Sequence, residues 1–284
     1  MSSKHSNSVK KLILRPDAHG GITYYYETLE PSLDNVTSLP VGRKGLASGY
    51  PVYVRLMCQY LLFIFYLLRE RPKIVHVNPS LNFRSVLRDG MFVVLAALFR
   101  RKVLVFFHGW DWDFADTLKG WRLRLFSGVF GLADKFMVLA SDFRDQLIDW
   151  GIESPIEVES TVVDSDPVKS LSIGTLMDDR FNQSPKQVLF LARLVEDKGV
   201  FETIEAVKEL RESGADLELT ICGTGPVVED IENIIARGQP YRDMISFEGY
   251  VTGARKKEIF EKSFVYSMPT NYGEGLPVSV LEAM

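Results

Sequence analysis

Short apolar runs rich in β-branched residues alternate along the chain with longer segments whose apolar residues recur at helical spacing. In the first half, the runs predicted to form strands are Lys11–Leu14, Val36–Leu39, Ile74–Asn78, Val103–Phe107, Phe136–Leu139 and Ile156–Glu159. The helical patterns between them are Tyr53–Arg69, Met91–Phe99, Leu118–Leu132 and Asp142–Trp150. This alternation is typical of a parallel sheet wrapped by helices, and therefore of an α/β fold.

The pattern breaks in the polar segment from Asp164 to Lys186, which lacks sustained periodicity. It then restarts, with strands predicted at Gln187–Ala192, Leu217–Cys222, Ile245–Phe247 and Phe264–Met268. The predicted helices are Val200–Ser213, Val227–Arg237 and Lys256–Lys262. We therefore expect two Rossmann-like domains facing each other across a cleft, at residues 1–165 and 187–284, with a linker at 166–186.

A last helix is predicted to begin at Pro277, because proline suits the first position of a helix. The sequence ends at Met284, two turns into that helix. A four-stranded sheet and a helix of this length would leave a sheet edge and an apolar helix face uncovered. The pattern therefore predicts that the second domain is incomplete.

Composition narrows the classes of protein that remain. Of the 284 residues, 46% are hydrophobic and 25% charged, and the net charge of −4 argues against a nucleic-acid partner. Cys58 and Cys222 lie in apolar surroundings and form no disulfide framework, which suits a reducing compartment. The basic start is not followed by an apolar run with a cleavage site, so we expect a cytoplasmic protein.

The segment Leu56–Leu68 is the strongest apolar stretch of the chain. It contains Gln59 and falls short of the roughly 20 apolar residues that span a bilayer. One interpretation is a helix buried between a sheet and a neighbouring helix. The other is a helix docked on a membrane surface, aided by Arg43, Lys44 and Arg55, and this alternative stays open.

Charged and glycine residues follow the predicted strands of the second half. Arg193 and Lys198 come after the first of these strands, and a turn with Gly223 and Gly225 follows the second. In a parallel sheet such loops meet at the carboxyl edge, where ligands bind. Two cations there could neutralise a diphosphate and stabilise the charge that develops as it leaves. The alternatives are solvated surface charges and an ordinary tight turn.

Two carboxylates stand near the end of the chain. Glu274 lies in a glycine-rich loop, and Glu282 lies in the second turn of the helix predicted from Pro277. Helical side chains lean toward the helix N-terminus, so Glu282 can point back to the ligand edge. Carboxylates accept hydrogen bonds from vicinal hydroxyls, as found in sugars and ribose. The alternative is one capping acid and one acid that faces solvent.

The first half offers weaker candidates. Gly20 and Gly21 come directly after the first predicted strand, and His108 ends another strand. Each has a purely structural alternative, a strand-to-helix turn or a packed histidine. His76 and Asn78 end a further strand, and their position alone suggests that they line the acceptor side of the cleft.

A bound metal is not expected. The triplet from Asp111 to Asp113 has the spacing of a DxD metal motif, but it lies in the first domain, away from the predicted diphosphate site. The histidines do not form a ligand pattern: His5, His19, His76 and His108.

The string NYGEGLPVSVLEAM resembles the donor-site motif of the large retaining glycosyltransferase family 4, in which seven residues separate two glutamates. The strings FLARLVEDKG, ICGTGP and FEGYV occur in the order and at the spacing usual for that family. The resemblance covers nearly the whole chain and is strongest from Gln187 to Met284. It implies a GT-B fold, a nucleoside diphosphate sugar as substrate, retention of anomeric configuration, and catalysis without a metal or cofactor.

The resemblance also implies roles for the residues of the second half. The residue matching Glu274 contacts hydroxyls of the donor sugar, and the residue matching Glu282 binds the nucleotide ribose. The cations matching Arg193 and Lys198 hold the diphosphate. The donor motif continues through Gly275, Leu276 and Pro277.

In the first half, the resemblance implies a glycine-rich loop at Gly20 and Gly21 that approaches the donor phosphates, and a histidine at His108 near the donor sugar. We therefore expect transfer of a hexose-type sugar to a glycan or lipid-linked acceptor, in surface polysaccharide or glycolipid assembly. The alternatives are a nucleotide-sugar epimerase of the same fold and a truncated, inactive or purely binding module. We expect the 284-residue chain itself to be poorly active.

Overall fold

The computed structural model describes residues 9–16, 21–42, 50–162, 173–271, 273 and 275–284. The chain divides into two compact units. The first comprises Met1–Val163 together with Gly273–Val278, and the second comprises Asp164–Tyr272 together with Ser279–Met284. Each unit has its own parallel sheet.

The sheet of the first unit has six strands in the described residues, in the order β2-β1-β3-β4-β5-β6. The strands are β1 (Lys11–Pro16), β2 (Val36–Val41), β3 (Ile74–Val77), β4 (Lys102–Phe107), β5 (Lys135–Val138) and β6 (Ile156–Val158). All neighbouring pairs are parallel. Each of the six strands predicted in the first half is confirmed, with its ends shifted by one or two residues.

Helices cover both faces of this sheet. They are α1 (Gly21–Leu29), α2 (Val52–Arg69), α3 (Phe83–Leu98), α4 (Trp112–Thr117), α5 (Trp121–Phe130) and α6 (Ser141–Asp149). Side chains of α2, α3, α5 and α6 share one core with the strand residues Val75, Val103 and Val105. On the opposite face, α1 packs Tyr25 and Tyr26 against Ile13 and Phe106. Alternate strand residues therefore serve two separate cores, as the two-residue period of a strand requires.

Two helices of the first unit differ from their predicted bounds. Helix α3 begins at Phe83 rather than Met91, because the side chain of Asn82 caps it by accepting a hydrogen bond from Ser85 N at 3.0 Å. The helix predicted over Leu118–Leu132 is preceded by α4 and starts only at Trp121. The break falls at Gly120, whose φ of 58° is incompatible with a continuous helix.

The apolar helix α2 is packed on one side only. Its buried residues are Gln59, Phe63 and Leu67. The interpretation that places this segment between a sheet and a neighbouring helix is therefore wrong for its outer side, which carries exposed apolar residues such as Leu61 and Phe65.

The second unit has a four-stranded sheet in the described residues, in the order β10-β7-β8-β9. Its strands are β7 (Lys186–Leu191), β8 (Leu217–Cys222), β9 (Ile245–Gly249) and β10 (Val265–Tyr266). Its helices are α7 (Ile173–Asn182), α8 (Val200–Glu212), α9 (Val228–Ala236), α10 (Tyr241–Met244), α11 (Gly253–Lys262) and α12 (Val278–Ala283). All four predicted strands are confirmed, and α12 begins one residue after Pro277.

Helix α7 lies within the segment 166–186 that the sequence pattern assigns to a linker. Arg180 fixes it to α11, because its guanidinium donates to the carbonyl oxygens of Glu261 at 3.0 Å and Phe260 at 2.7 Å. These bonds satisfy carbonyl groups at the C-terminal end of α11. The sequence pattern assigns the segment to a linker because it is polar and lacks sustained periodicity, and that pattern gives no sign of α7.

Candidate functional site

The loops at the carboxyl edge of the second sheet are joined by backbone hydrogen bonds. Leu194 N, after β7, donates to Thr224 O, after β8, at 2.9 Å. Asn271 N, after β10, donates to Asp197 O at 2.8 Å. The loops that the sequence pattern assigned to one edge therefore form one connected surface.

Arg193 and Lys198 both lie in the loop after β7. Lys198 ends a short 3-10 turn, Glu196–Lys198, and only 8% of its surface is exposed. Burial and, to a smaller extent, the charge of Arg193 together lower the pKa of its ammonium to about 8. Bringing two cations close in a partly desolvated loop is unfavourable on its own. A bound anion would offset that repulsion.

Gly223 and Gly225 are required by the close packing of these loops. Gly223 has a φ of 143°, and a Cβ on it would lie 1.9 Å from the carbonyl oxygen of Ala192. A Cβ on Gly225 would lie 1.9 Å from the carbonyl oxygen of Leu194. Both distances are far below van der Waals contact, so only glycine fits. This packing accounts for both residues, and their contact with a donor stays a prediction.

Glu282, on α12, is held by a residue that the sequence analysis did not single out. Lys256 Nζ, on α11, lies 2.6 Å from Oε1 and 2.6 Å from Oε2 of Glu282. The Glu282 side chain is 13% exposed, so the alternative of a solvent-facing acid is wrong. Nearby, Tyr266 Oη donates to Ser279 Oγ at 2.7 Å and fixes α12 to β10.

The structure describes only some of the remaining predicted site residues. Glu274 and Gly20 lie outside the described residues. Gly21 is the first residue of α1, directly after the gap that follows β1. The remaining residues of the donor motif precede α12 in the segment grouped with the first unit: Gly275, Leu276 and Pro277.

In the first unit, His108 belongs to a buried hydrogen-bond network centred on Asn78. Asn78 Nδ2 donates to Leu14 O at 2.8 Å, which fixes the orientation of the amide. Its Oδ1 accepts from Tyr26 Oη at 2.6 Å and lies 3.1 Å from His108 Nε2. Because Oδ1 only accepts, this bond requires the proton on Nε2 and leaves Nδ1 of His108 as an acceptor.

Both histidines of this network are neutral near physiological pH. Burial lowers the pKa of His76 to about 3, and burial together with His76 lowers the pKa of His108 to about 3. Tyr26 Oη lies 3.3 Å from each ring nitrogen of His76. Sequence reasoning placed His76, Asn78 and His108 at strand ends, but it missed Tyr26, because the pattern did not predict α1.

Asp111, the first residue of the DxD-like triplet, has a structural role as a helix cap. Asp111 Oδ1 accepts a hydrogen bond from Phe114 N at 2.9 Å and caps α4. In the part of the chain that the structure describes, no three side chains among His, Cys, Asp and Glu are grouped so that they could hold a metal ion.

Two units, each with its own parallel sheet, have the architecture of the GT-B fold class. HepE of Anabaena, solved with UDP and glucose, superposes with a TM-score of 0.70 at 14% identity, over 97% of this chain and 78% of HepE. Sucrose-phosphate synthase of Thermosynechococcus elongatus gives a TM-score of 0.69 at 13% identity, over 96% of this chain and 78% of that enzyme.

The family is shown by two sequence models. The model described as "Glycosyl transferase 4-like domain" matches residues 13–158, and the model "Glycosyl transferases group 1" matches residues 177–284. The first alone covers half of the chain. The chain therefore belongs to the group 1, family 4-like glycosyltransferases.

Curated relatives match at lower identity. The putative colanic acid biosynthesis glycosyltransferase WcaL of Escherichia coli is 24% identical over 74% of this chain and 50% of its own length. The amylovoran biosynthesis glycosyltransferase AmsK of Erwinia amylovora is 30% identical over 35% of this chain and 26% of its own length. The chain spans about half the length of WcaL.

Proposed function

We propose that this chain carries the donor and acceptor domains of a glycosyltransferase that moves a hexose-type sugar from a nucleoside diphosphate to a glycan or lipid-linked acceptor. The proposed setting is surface polysaccharide or glycolipid biosynthesis. Relatives named for colanic acid and amylovoran biosynthesis support it. A structural relative solved with UDP and glucose supports the class of donor.

The observation that carries the proposal is the position of Lys198 beside Arg193 at the carboxyl edge of the second sheet. The pKa of Lys198 is lowered to about 8 by burial and by Arg193, so a diphosphate bound there would favour the charged ammonium. The same two charges would stabilise the diphosphate as it leaves the sugar. No metal or cofactor is part of this proposal.

Glu282 is proposed to bind the hydroxyls of the donor ribose, and Lys256 holds its carboxylate at 2.6 Å. A carboxylate fixed by an ammonium keeps its remaining lone pairs available for two hydroxyl donors. Glu274 is proposed to contact the donor sugar, by resemblance alone. Gly20 and Gly21 are proposed to admit the donor phosphates.

His108 is proposed to lie beside the donor sugar. With a pKa of about 3, it is neutral and does not act as a proton donor in the imidazolium form. Its Nδ1 is free to accept a hydrogen bond from a sugar hydroxyl, because Nε2 faces Asn78 Oδ1. We propose retention through a front-face mechanism, in which the leaving diphosphate takes the acceptor proton. Trapping a covalent glycosyl-enzyme would contradict it.

The proposed location is the cytoplasm, at the inner face of the membrane, where a lipid-linked acceptor is available. Peripheral contact with that membrane is part of the proposal, and nucleic acid is not a partner.

The test is thermal unfolding of the chain with a panel of UDP-, GDP- and ADP-sugars. Binding to the folded state raises the unfolding midpoint, so one donor should give a clear upward shift. Lys198→Ala and Glu282→Ala should abolish the shift. Lys262→Ala is the matched control, because Lys262 is exposed at the far end of α11 and pairs with Glu258. No shift with any donor would leave the binding-site assignment without support.

Product analysis then separates the reaction classes. With donor and an acceptor extract, a transferase gives a glycosylated acceptor and a free nucleoside diphosphate. An isomerised sugar nucleotide formed from donor alone would instead identify an epimerase. Binding without either product would identify a binding module.

A further inference from the structure

Helix α2 exposes a continuous apolar stripe on the side opposite the sheet. Its exposed residues recur every three or four positions and are between 51% and 59% exposed: Met57, Leu61, Phe65 and Leu68. This spacing places them on one face of the helix. Helix α2 is long and apolar enough to cross a membrane by length and composition alone. Its inner side, with Phe63 and Leu67, nevertheless belongs to the core of the first unit.

Helices α3 and α5 continue this exposed surface. On α3 the exposed apolar residues are between 46% and 72% exposed: Phe83, Leu87, Met91 and Leu98. On α5 they are Trp121, which is 69% exposed, and Leu125, which is 60% exposed. Contiguous exposed apolar surface of this kind marks an interaction site in a monomeric protein.

The three stripes face the same way. Helix α3 contacts both α2 and α5, and all three pack their inner sides into one core cluster on one face of the sheet. Their outer sides therefore form one surface, which we call the three-helix surface. It consists of the exposed stripes of α2, α3 and α5.

The charges on these helices are almost all positive. Their sequences contain six arginines and a single acidic residue: Arg55, Arg69, Arg84, Arg88, Arg122 and Arg124 against Asp89. Asp89 is buried, and Arg88 Nε donates to its Oδ1 at 2.7 Å. The three helices therefore present no exposed carboxylate, although the chain as a whole has a net charge of −4.

We infer that the three-helix surface docks the first unit on a membrane containing anionic phospholipid. Apolar side chains would enter the boundary between headgroups and acyl chains, while the arginines contact lipid phosphates. The inference rests on the peripheral contact proposed above, to which it assigns a surface and a lipid class. It does not depend on the donor site.

Charge complementarity favours a membrane over a protein partner. Arginines accompany each apolar stripe and the three helices expose no carboxylate, so their charge has one sign and complements anionic phospholipid. Arginine can extend its charged end to the headgroups while its stem lies on apolar surface. Tyr50 and Tyr53, 63% and 73% exposed at the start of α2, and Trp121 at the start of α5 are residue types that favour the membrane interface.

The test is co-sedimentation of the chain with vesicles of phosphatidylcholine, with and without phosphatidylglycerol. We expect binding to the anionic vesicles that weakens with added salt, and much weaker binding to pure phosphatidylcholine. Leu61→Asn with Leu87→Asn should weaken binding by about tenfold per leucine. Arg84→Gln with Arg122→Gln and Arg124→Gln should weaken it by about fivefold per arginine.

Matched controls keep the test specific. Leu210→Asn changes an apolar residue on α8 that is 50% exposed, and Lys262→Gln removes an exposed charge from α11. Neither should alter binding. All of these positions are at the surface, so unchanged thermal unfolding should confirm that the variants fold.

Fluorescence supplies a second readout. Trp121 should be quenched by brominated lipid in anionic vesicles, and Trp121→Phe should remove most of that quenching. Failure of the folded chain to bind anionic vesicles would overturn the inference. So would a dimer in solution that Leu61→Asn with Leu87→Asn dissociates, because the surface would then serve a second copy. In either case, a rise in the unfolding midpoint on addition of a donor would still support the proposed donor site.

Discussion

The helices of the two units have outer faces of opposite character. In the first unit, α2 and α3 carry Leu61, Phe65, Leu87 and Leu98 toward solvent. In the second unit, the outer faces carry charges of both signs. On α11, Arg255 contacts Glu258 at 2.8 Å, and Lys262 contacts the same carboxylate at 2.7 Å.

This difference separates two kinds of apolar helix: one that is apolar on a single side, and one that is apolar on every side. In α8 and α11 most of the apolar residues fall on one side, and that side is buried against the sheet; Leu210 of α8, which is 50% exposed, is an exception. In α2 the apolar residues run all round, which usually indicates a helix buried on every side. Among the described residues, only one of those sides is packed against the rest of the first unit. The charged outer face of α11 therefore suits contact with water, whereas the exposed apolar stripe of α2 is the feature that the proposed membrane docking explains.

The largest expected effect separates the inner and outer sides of one helix in the first unit. Phe92 is fully buried, with its ring 5.0 Å from Phe63 and 4.9 Å from Tyr60, whereas the neighbouring Met91 is 46% exposed. Phe92→Ala should cost about 3–5 kcal/mol of unfolding free energy. Met91→Ala should change it by less than about 0.5 kcal/mol.

Urea unfolding followed by tryptophan fluorescence measures this difference in the first unit, because all four tryptophans lie in Met1–Val163. Equal losses for the two variants would mean that the outer side of α3 is buried in solution.

The next prediction tests whether a nucleoside diphosphate binds beside Lys198, at the carboxyl edge of the second sheet. The pKa of Lys198 is about 8 without ligand, and a bound diphosphate should raise it. Affinity for the nucleoside diphosphate should therefore be full below about pH 8 and fall as the pH rises, by up to about tenfold per unit. Calorimetric titration across this range measures it.

Lys198→Met should bind the nucleoside diphosphate more weakly and lose the pH dependence above about pH 8. The same slope in wild type and variant would assign the titration to another group.

The smallest effect concerns Lys256, which we regard as a positioning residue for Glu282. Lys256→Met removes the ammonium 2.6 Å from the carboxylate and should weaken binding of a ribonucleoside diphosphate severalfold. The loss should disappear with an analogue that lacks both ribose hydroxyls, because Glu282 then has nothing to hold. Lys257→Met, on the same helix, is the control. A loss that is equal for both nucleotides would assign Lys256 to a different role.

The strands of both units were predictable because buried parallel strands are short apolar runs between polar loops. The start of α3 was not, because Arg84 and Arg88 interrupt the apolar period. The capping Asn82, whose side chain accepts from Ser85 N, was the available signal. The late start of α5 was likewise indicated in the sequence only by Gly120.

The candidate site was predictable where topology alone decides the position. Arg193, Lys198 and Gly223 follow parallel strands, and such loops must meet at one edge. The ion pair between Lys256 and Glu282 joins α11 to α12, and the order of residues carries no sign of it. Tyr26 was missed for a related reason, since its hydrogen bond to Asn78 joins two elements that are far apart in the chain.

Gln59 favours one orientation of α2 about its own helix axis. A helix that is apolar all round gains similar burial whichever side it turns to the sheet, so hydrophobicity alone barely selects one. Gln59 is 1% exposed, and its Nε2 donates to Gly42 O at 3.0 Å. Turning the helix would break the bond from Nε2, at a cost of about 0.5–1.5 kcal/mol, whereas Oε1 has no hydrogen-bond partner among the described residues in the observed setting. One polar side chain thereby selects which of many equivalent apolar residues face outward.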